Sequence, residues 1–350
     1  MEITIPAQKV PIPDPPAPTP PYDDTALISR LNSLEDRIEA LEKPPIVVPP
    51  PPPTTPSGRF FADTAFQYAG VQQLPKHSNS DALVQELYAQ VKLHGGNINA
   101  SKWSNGLYYA DASSPITPVF LVKQYEENGA VGTELKAGVR IPAGFKSAMG
   151  GDGHGCIIDP IAKKEYDFFQ LRFKNNRWEC SDAGILPLGG NGILKRLSVW
   201  NSATASHLPL STRVISKKEL EADFCDHMIG LAIYRPKKGT AKPPASTTDG
   251  WYTGPNALQE GQILRAPANI VIDSAWPPIV KLLIKTLRDK GCFIPDKTGA
   301  GASFYVQDPT QFGLTDSMLA IYCNGMPQYK IFGDANNPGI FPWLKLEAVQ

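Results

Sequence analysis

The chain has 350 residues, with 34 basic and 34 acidic side chains and no net formal charge, which removes the electrostatic case for nucleic acid or an anionic membrane as partner. Its length leaves room for one large domain or two small ones, and it has no run of about 18 apolar residues that could span a bilayer. Five cysteines, Cys156, Cys180, Cys225, Cys292 and Cys323, show no CxxC pair and no metal-ligand spacing. They read as ordinary buried thiols with room for one pairing, and the sequence asks for no metal and no cofactor.

Residues 1–21 hold eight prolines, and residues 44–56 hold eight more. Such segments favour extended polyproline II, which makes 1–21 a strap or anchor and 44–58 a semi-rigid linker, or else two plain disordered connectors. Between them, over 22–43, Leu27, Leu31, Leu34, Ile38 and Leu41 recur at alternating four- and three-residue spacing, the seam of a left-handed coiled coil. In a parallel assembly Arg30 faces Glu35 of a neighbour and Arg37 faces Glu42. The pattern Arg-apolar-x-x-apolar-Glu, met twice, resembles a trimerisation signature in which the arginine fork holds the glutamate, so a homotrimer is expected. Leu and Ile mixed at one core position also allow a dimer, and a short helix packed on the chain's own body is the bland alternative.

A globular body is expected over 59–350. Asn79 or Ser80 caps a helix whose Leu83, Val84, Leu87, Tyr88 and Val91 share a face, ending near 94–96. Ser216 and Glu219 form a capping-box match opening a short helix. A further helix follows Asp273 and Ser274 and stops at Gly291. Segments 118–125, 156–158, 165–173, 177–180, 227–234, 292–295 and 303–307 are short, aromatic or β-branched, and read as strands. The expected class is α+β and β-rich, a sandwich or jelly-roll-like body with two or three helices.

Several stretches of the body, in order, resemble a family of mostly uncharacterised extracellular proteins of actinobacteria and other organisms. They are residues 75–81; Gly151-Asp152-Gly153-His154 with Asp159; Glu165-Tyr166-Asp167-Phe168-Phe169-Gln170; Trp178; residues 202–210; Asp226-His227; and 261–265 leading into the 277–291 helix. Members of that family look glycan-active or glycan-binding, and related segments occur in tail proteins of bacteriophages. The chain starts without the basic, apolar pattern of a signal peptide and carries the trimerising leader. The resemblance therefore implies a tail-fibre or tail-tip protein, made in the host cytoplasm and located in the virion. Its amino end would attach to other tail proteins and its body would bind a host cell-surface glycan. A glycan-cleaving enzyme and a purely structural virion component are the alternatives.

The densest polar group is Asp152, His154, Asp159, Glu165 and Asp167. Strand alternation sends Glu165, Asp167 and Phe169 to one face and Tyr166, Phe168 and Gln170 to the other. His154, Glu165, Asp167 and His227 are the candidate catalytic set, for general acid/base work or a divalent metal should they meet. Glu-x-Asp-Phe-x-Gln also resembles the Glu-x-Asp-x-x-Glu strand of sandwich-fold glycoside hydrolases, but Gln170 stands where the acid belongs and cannot donate its proton. The bland alternative for each histidine is a turn-holding structural residue. For sugar stacking the candidates are Trp251, Tyr252, Trp178 and Trp103, with Trp251 and Tyr252 beside the Pro/Gly/Thr-rich loop 237–250 expected at the surface.

Overall fold

Short β-branched and aromatic runs, each cut by Gly, Pro, Asn or Asp, fold as short strands between a few helices. A computed structural model describes residues 59–122, 129–194 and 202–350; the strap, coiled-coil helix and linker expected over 1–58 lie outside the described residues. The strands are β1 (Gly96–Asn99), β2 (Tyr108–Tyr109), β3 (Ile116–Thr117), β4 (Val119–Leu121), β5 (Val139–Arg140), β6 (Gly155–Asp159), β7 (Lys164–Phe169), β8 (Arg172–Lys174), β9 (Arg177–Cys180), β10 (Asp182–Pro187), β11 (Ile229–Ile233), β12 (Ile263–Arg265), β13 (Cys292–Phe293), β14 (Ala302–Tyr305) and β15 (Glu347–Ala348). The α-helices are α1 (Ser80–His94), α2 (Ala130–Ala137), α3 (Leu210–Arg213), α4 (Lys217–Ala222), α5 (Pro278–Asp289), α6 (Met318–Tyr322) and α7 (Gln328–Phe332). The body is α+β and rich in strands, as its patterning indicates.

A six-stranded sheet has the order β1-β14-β11-β13-β12-β15 and a four-stranded sheet the order β10-β7-β6-β2; a three-stranded sheet β4-β9-β8 and the pair β3-β5 complete the set. Both larger sheets are mixed: β1 runs parallel to β14, β11 to β13 and β2 to β6, and the remaining pairs are antiparallel. Parallel neighbours need long crossovers, which the helices and the loop 234–262 supply.

Alternation on two strands sets the layers. On β11, Ile229, Leu231 and Ile233 join Leu83, Val84, Leu87 and Val91 of α1 and Ile279, Val280, Leu283, Ile284 and Leu287 of α5 in the largest core. Gly230 and Ala232 face the opposite way, where Gly230 leaves room for the Cβ of Arg213 on α3 and Ala232 packs with Leu210. On β7, Tyr166 and Phe168 enter a second core with Leu135 of α2 and Phe145, while Phe169 packs with Leu210, Val214 and Tyr305. The short helix α3 is thus wedged between the two large sheets. Phe304, Phe332, Phe341 and Trp343 form an aromatic knot at the edge of the first core, with Phe341 and Trp343 ring centres 4.5 Å apart.

Local signals are realised at the helix starts. Ser216 accepts from Glu219 N while the Glu219 carboxylate accepts from Ser216 N, closing the capping box of α4. The segment expected as one strand over 165–173 is broken at Gln170, whose φ of 53° turns the chain so that β8 starts a separate sheet. All five cysteines are free and buried. At one edge, His77 N donates to Ala348 O and Gln350 N to Pro75 O, so 75–77 and 348–350 form an antiparallel clamp. No helix among the described residues is long and apolar enough to cross a membrane.

Leu283 is fully buried between α5 and β11. Leu283→Ala is expected to lower the unfolding free energy by about 2–5 kcal/mol, seen as an earlier denaturant midpoint with an unchanged slope.

Candidate functional site

The alternation of β7 does bring Glu165 and Asp167 to one face, and one oxygen of each lies within 4.8 Å of the other and of Cys156 Sγ on β6. That face is covered by α3. Leu210 N donates to Asp167 Oδ2 at 2.9 Å, and Ser211 N and Oγ donate to Glu165 at 3.1 and 2.7 Å. The carboxyls therefore satisfy backbone donors that a helix start leaves without intrahelical partners. Burial and the neighbouring Asp167 push Glu165 well up; burial raises Asp167 to about 6, against the pull of the Leu210 N–H. Both side chains are almost fully shielded from solvent, so the pair holds α3 in place.

The four candidate catalytic side chains do not converge on one group. His154 is buried with its ring against Phe169, and neither ring nitrogen has a hydrogen-bond partner among the described residues. Burial, and then the Arg213 charge, hold its pKa well below the ordinary range, so the ring is neutral. His227 lies elsewhere, between Met228 O at 2.7 Å from Nδ1 and Glu219 Oε1 at 3.1 Å from Nε2. Two acceptors on two ring nitrogens require both to carry protons. Burial opposes that charge, yet Cys225 and Glu219 outweigh it and hold His227 well above its usual value. Its role is to tie α4 to the entry of β11.

Arg213, at the end of α3, is the hub that residue spacing does not reveal. Its side chain is 1% exposed; Nε donates to Asn105 Oδ1 at 2.9 Å and the guanidinium lies 4.5 Å from the centre of the Tyr305 ring. Asp152 and Asp296 are the half-buried carboxyls that feel this charge: burial raises both, Asp296 to about 7, and Arg213 acts against the rise.

Asp296 belongs in turn to a second acidic group. Oxygens of Asp249, Glu260 and Asp296 lie within 4.8 Å of one another. Asp249 comes from the long loop after β11, Glu260 from its end just before β12, and Asp296 from the turn after β13. Glu260 is 0% exposed and neither of its carboxylate oxygens has a hydrogen-bond partner among the described residues. Burial, with Asp296 and Asp249 adding to it, raises its pKa to about 10. Lys297 forms an ion pair with Asp249. The turn is fixed by Gly261, where φ is +84° and any Cβ would sit 1.7 Å from Lys242 O, so no other residue fits.

Beside Asp249 in sequence stands the exposed aromatic surface. Trp251 is 47% exposed; its Nε1 donates to Tyr234 O at 3.0 Å, and its ring meets Tyr234 and Tyr252 edge-on at 5.7 and 6.0 Å. The Arg235 guanidinium lies over Tyr252 at 5.1 Å, and the His94 ring lies tilted against Tyr234 with centres 3.9 Å apart. Gly254 leaves the Tyr252 ring its space, since a Cβ there would come within 2.4 Å of it. Trp103 is also exposed and lies over Gly150 and Gly151, at the rim of a shallow pocket of about 300 Å³ lined by Met149, Gly150, Gly151, Gln170 and Arg172. Trp178 is half-buried between Phe145 and Phe173 and serves the second core.

Comparison with protein-family models, with curated proteins and with solved structures finds no match to the chain.

The His227–Glu219 pair sets a pH dependence with a definite sign. The raised His227 pKa makes its contribution complete below the unfolded value of about 6.5 and lost as pH rises through the folded value; the lowered Glu219 pKa makes it fail again in acid. The stability difference between the native chain and His227→Gln should be largest near pH 6 or so and shrink on the alkaline side, measured by urea unfolding across pH.

Proposed function

We propose that the chain is a bacteriophage tail-fibre or tail-tip protein whose body binds a host cell-surface glycan through the Trp251–Tyr252 surface. The observation that carries the reading is the fixed, exposed indole of Trp251 one residue from Gly250 and two from the Asp249 carboxylate. Sugars offer apolar faces to rings and hydroxyls to carboxylates, and here both kinds of group stand on one loop. Its anchoring through Tyr234 O and the flanking rings limits the ordering cost of binding. The heptads over 22–43 support presentation in three copies, which raises weak single-site affinity through effective concentration. The proline-rich 1–21 segment is the proposed attachment to the rest of the tail.

A glycan-cleaving body is the second reading, favoured by the carboxyl-rich group beside the aromatic surface; the buried, backbone-bonded Glu165 and Asp167 give it no support. Binding of the full chain to purified host surface polysaccharide tests the first reading. Trp251→Ala is expected to weaken it about tenfold, the loss of roughly 1.4 kcal/mol of ring contact. Unchanged binding in that variant overturns the assignment, and release of oligosaccharide by the native chain replaces binding with cleavage.

The stalk is tested separately. Light scattering of the full chain is expected to give a trimer, and the double variant Leu34→Asp, Ile38→Asp single chains; a monomeric native chain removes the stalk from the proposal.

A further inference from the structure

We propose that Asp249, Glu260 and Asp296 form a binding site for a hard divalent cation of the calcium class. Three carboxylates from three separate segments present oxygens within 4.8 Å of one another. Two oxygens sharing one calcium ion at about 2.3–2.6 Å can lie up to about 5 Å apart, and a set of protein carboxylates is what calcium takes, whereas magnesium is usually held by one or two carboxylates with several waters.

Glu260 supplies an independent reason. It is fully buried, both its oxygens lack a hydrogen-bond partner among the described residues, and one of them points at the carboxylates of Asp249 and Asp296. A carboxyl in that position has to be neutralised by a proton or matched by a cation. The charge count fits the second. Ionised, the three carboxylates outnumber the Lys297 ammonium paired with Asp249 by two charges. Arg213 and Asp152, which also act on Asp296, are opposite in sign. A divalent ion supplies the missing charge.

The backbone holds the set ready. Lys242 N donates to Glu260 O and Gly261 N to Ile294 O, both at 2.8 Å, while Asp296 Oδ1 accepts from Lys297 N at 2.9 Å. An ion bridging Asp249 to the other two would also pin the loop that carries Trp251. The inference stands whether or not that surface binds sugar, because it is read out with the metal alone.

The test uses the full chain, stripped with chelator and titrated with calcium, magnesium or manganese chloride. The melting temperature is expected to rise with the logarithm of calcium concentration, with calorimetry giving one strong site per chain and weaker response to magnesium. Glu260→Gln, which keeps the shape and removes the charge, and the exposed Asp249→Asn, which guards against misfolding of the first, should each cut calcium affinity at least tenfold. Glu219→Gln, in the His227 cluster, should leave it unchanged. A native chain indifferent to all three ions overturns the proposal, as does a calcium response that survives both Glu260→Gln and Asp249→Asn. A rise in melting temperature on Glu260→Gln without any metal effect would assign the buried carboxyl to a proton instead.

Discussion

A guanidinium keeps its charge wherever it is placed, so the burial of Arg213 between two sheets is the constraint around which the polar interior is organised. Asn105 takes one of its donors and the Tyr305 ring one of its faces. Its field adds to the burial that keeps the His154 imidazole neutral, and tempers the rise that burial imposes on Asp152, Asp167 and Asp296. Gly230 on β11 is what lets α3 come near enough for this arrangement, since a side chain there would strike the Arg213 Cβ. Replacing one backbone hydrogen by a methyl group would therefore disturb electrostatics on both sides of the wedge.

Two polar groups in this body look alike in composition and differ in what they can do. Glu165 and Asp167 face a helix start, which gives both Glu165 oxygens and Asp167 Oδ2 backbone and hydroxyl donors. Asp249, Glu260 and Asp296 face one another, and Glu260 has no partner at normal hydrogen-bond distance among the described residues. The first arrangement is covered, and three of its four oxygens take donors from α3, so its energy goes into the fold. The second is open at the Asp249 side and unsatisfied within, which leaves it something to gain from a partner.

What the sequence discloses follows the range of the interactions involved. The face of α1, the capping box of α4, the alternation that pairs Glu165 with Asp167 and the exposure of Trp251 are set within a few residues, and they can be read directly. The break at Gln170 escaped because a left-handed glutamine leaves no mark in a β-rich run. β1, Gly-Asn-Ile-Asn, carries a single apolar side chain and β12 is only three residues long, so neither stands out, and each is held by its neighbour, β14 or β13. The acidic trio was invisible for a stronger reason: 260 and 296 meet because β12 and β13 pair, and 249 joins them through the long loop after β11, where it pairs with Lys297. Arg213 likewise gives no hint of burial in its own local sequence, Ser-Thr-Arg-Val.

The clamp between 75–77 and 348–350 has a mechanical consequence. In an antiparallel pair the chain leaves Pro75 toward lower numbers at the same end at which Gln350 sits. Tension applied between those two points peels the pair open one bond at a time, like a zipper, instead of shearing all its bonds together. This seam would yield under load well before the buried strands β11 and β14 part.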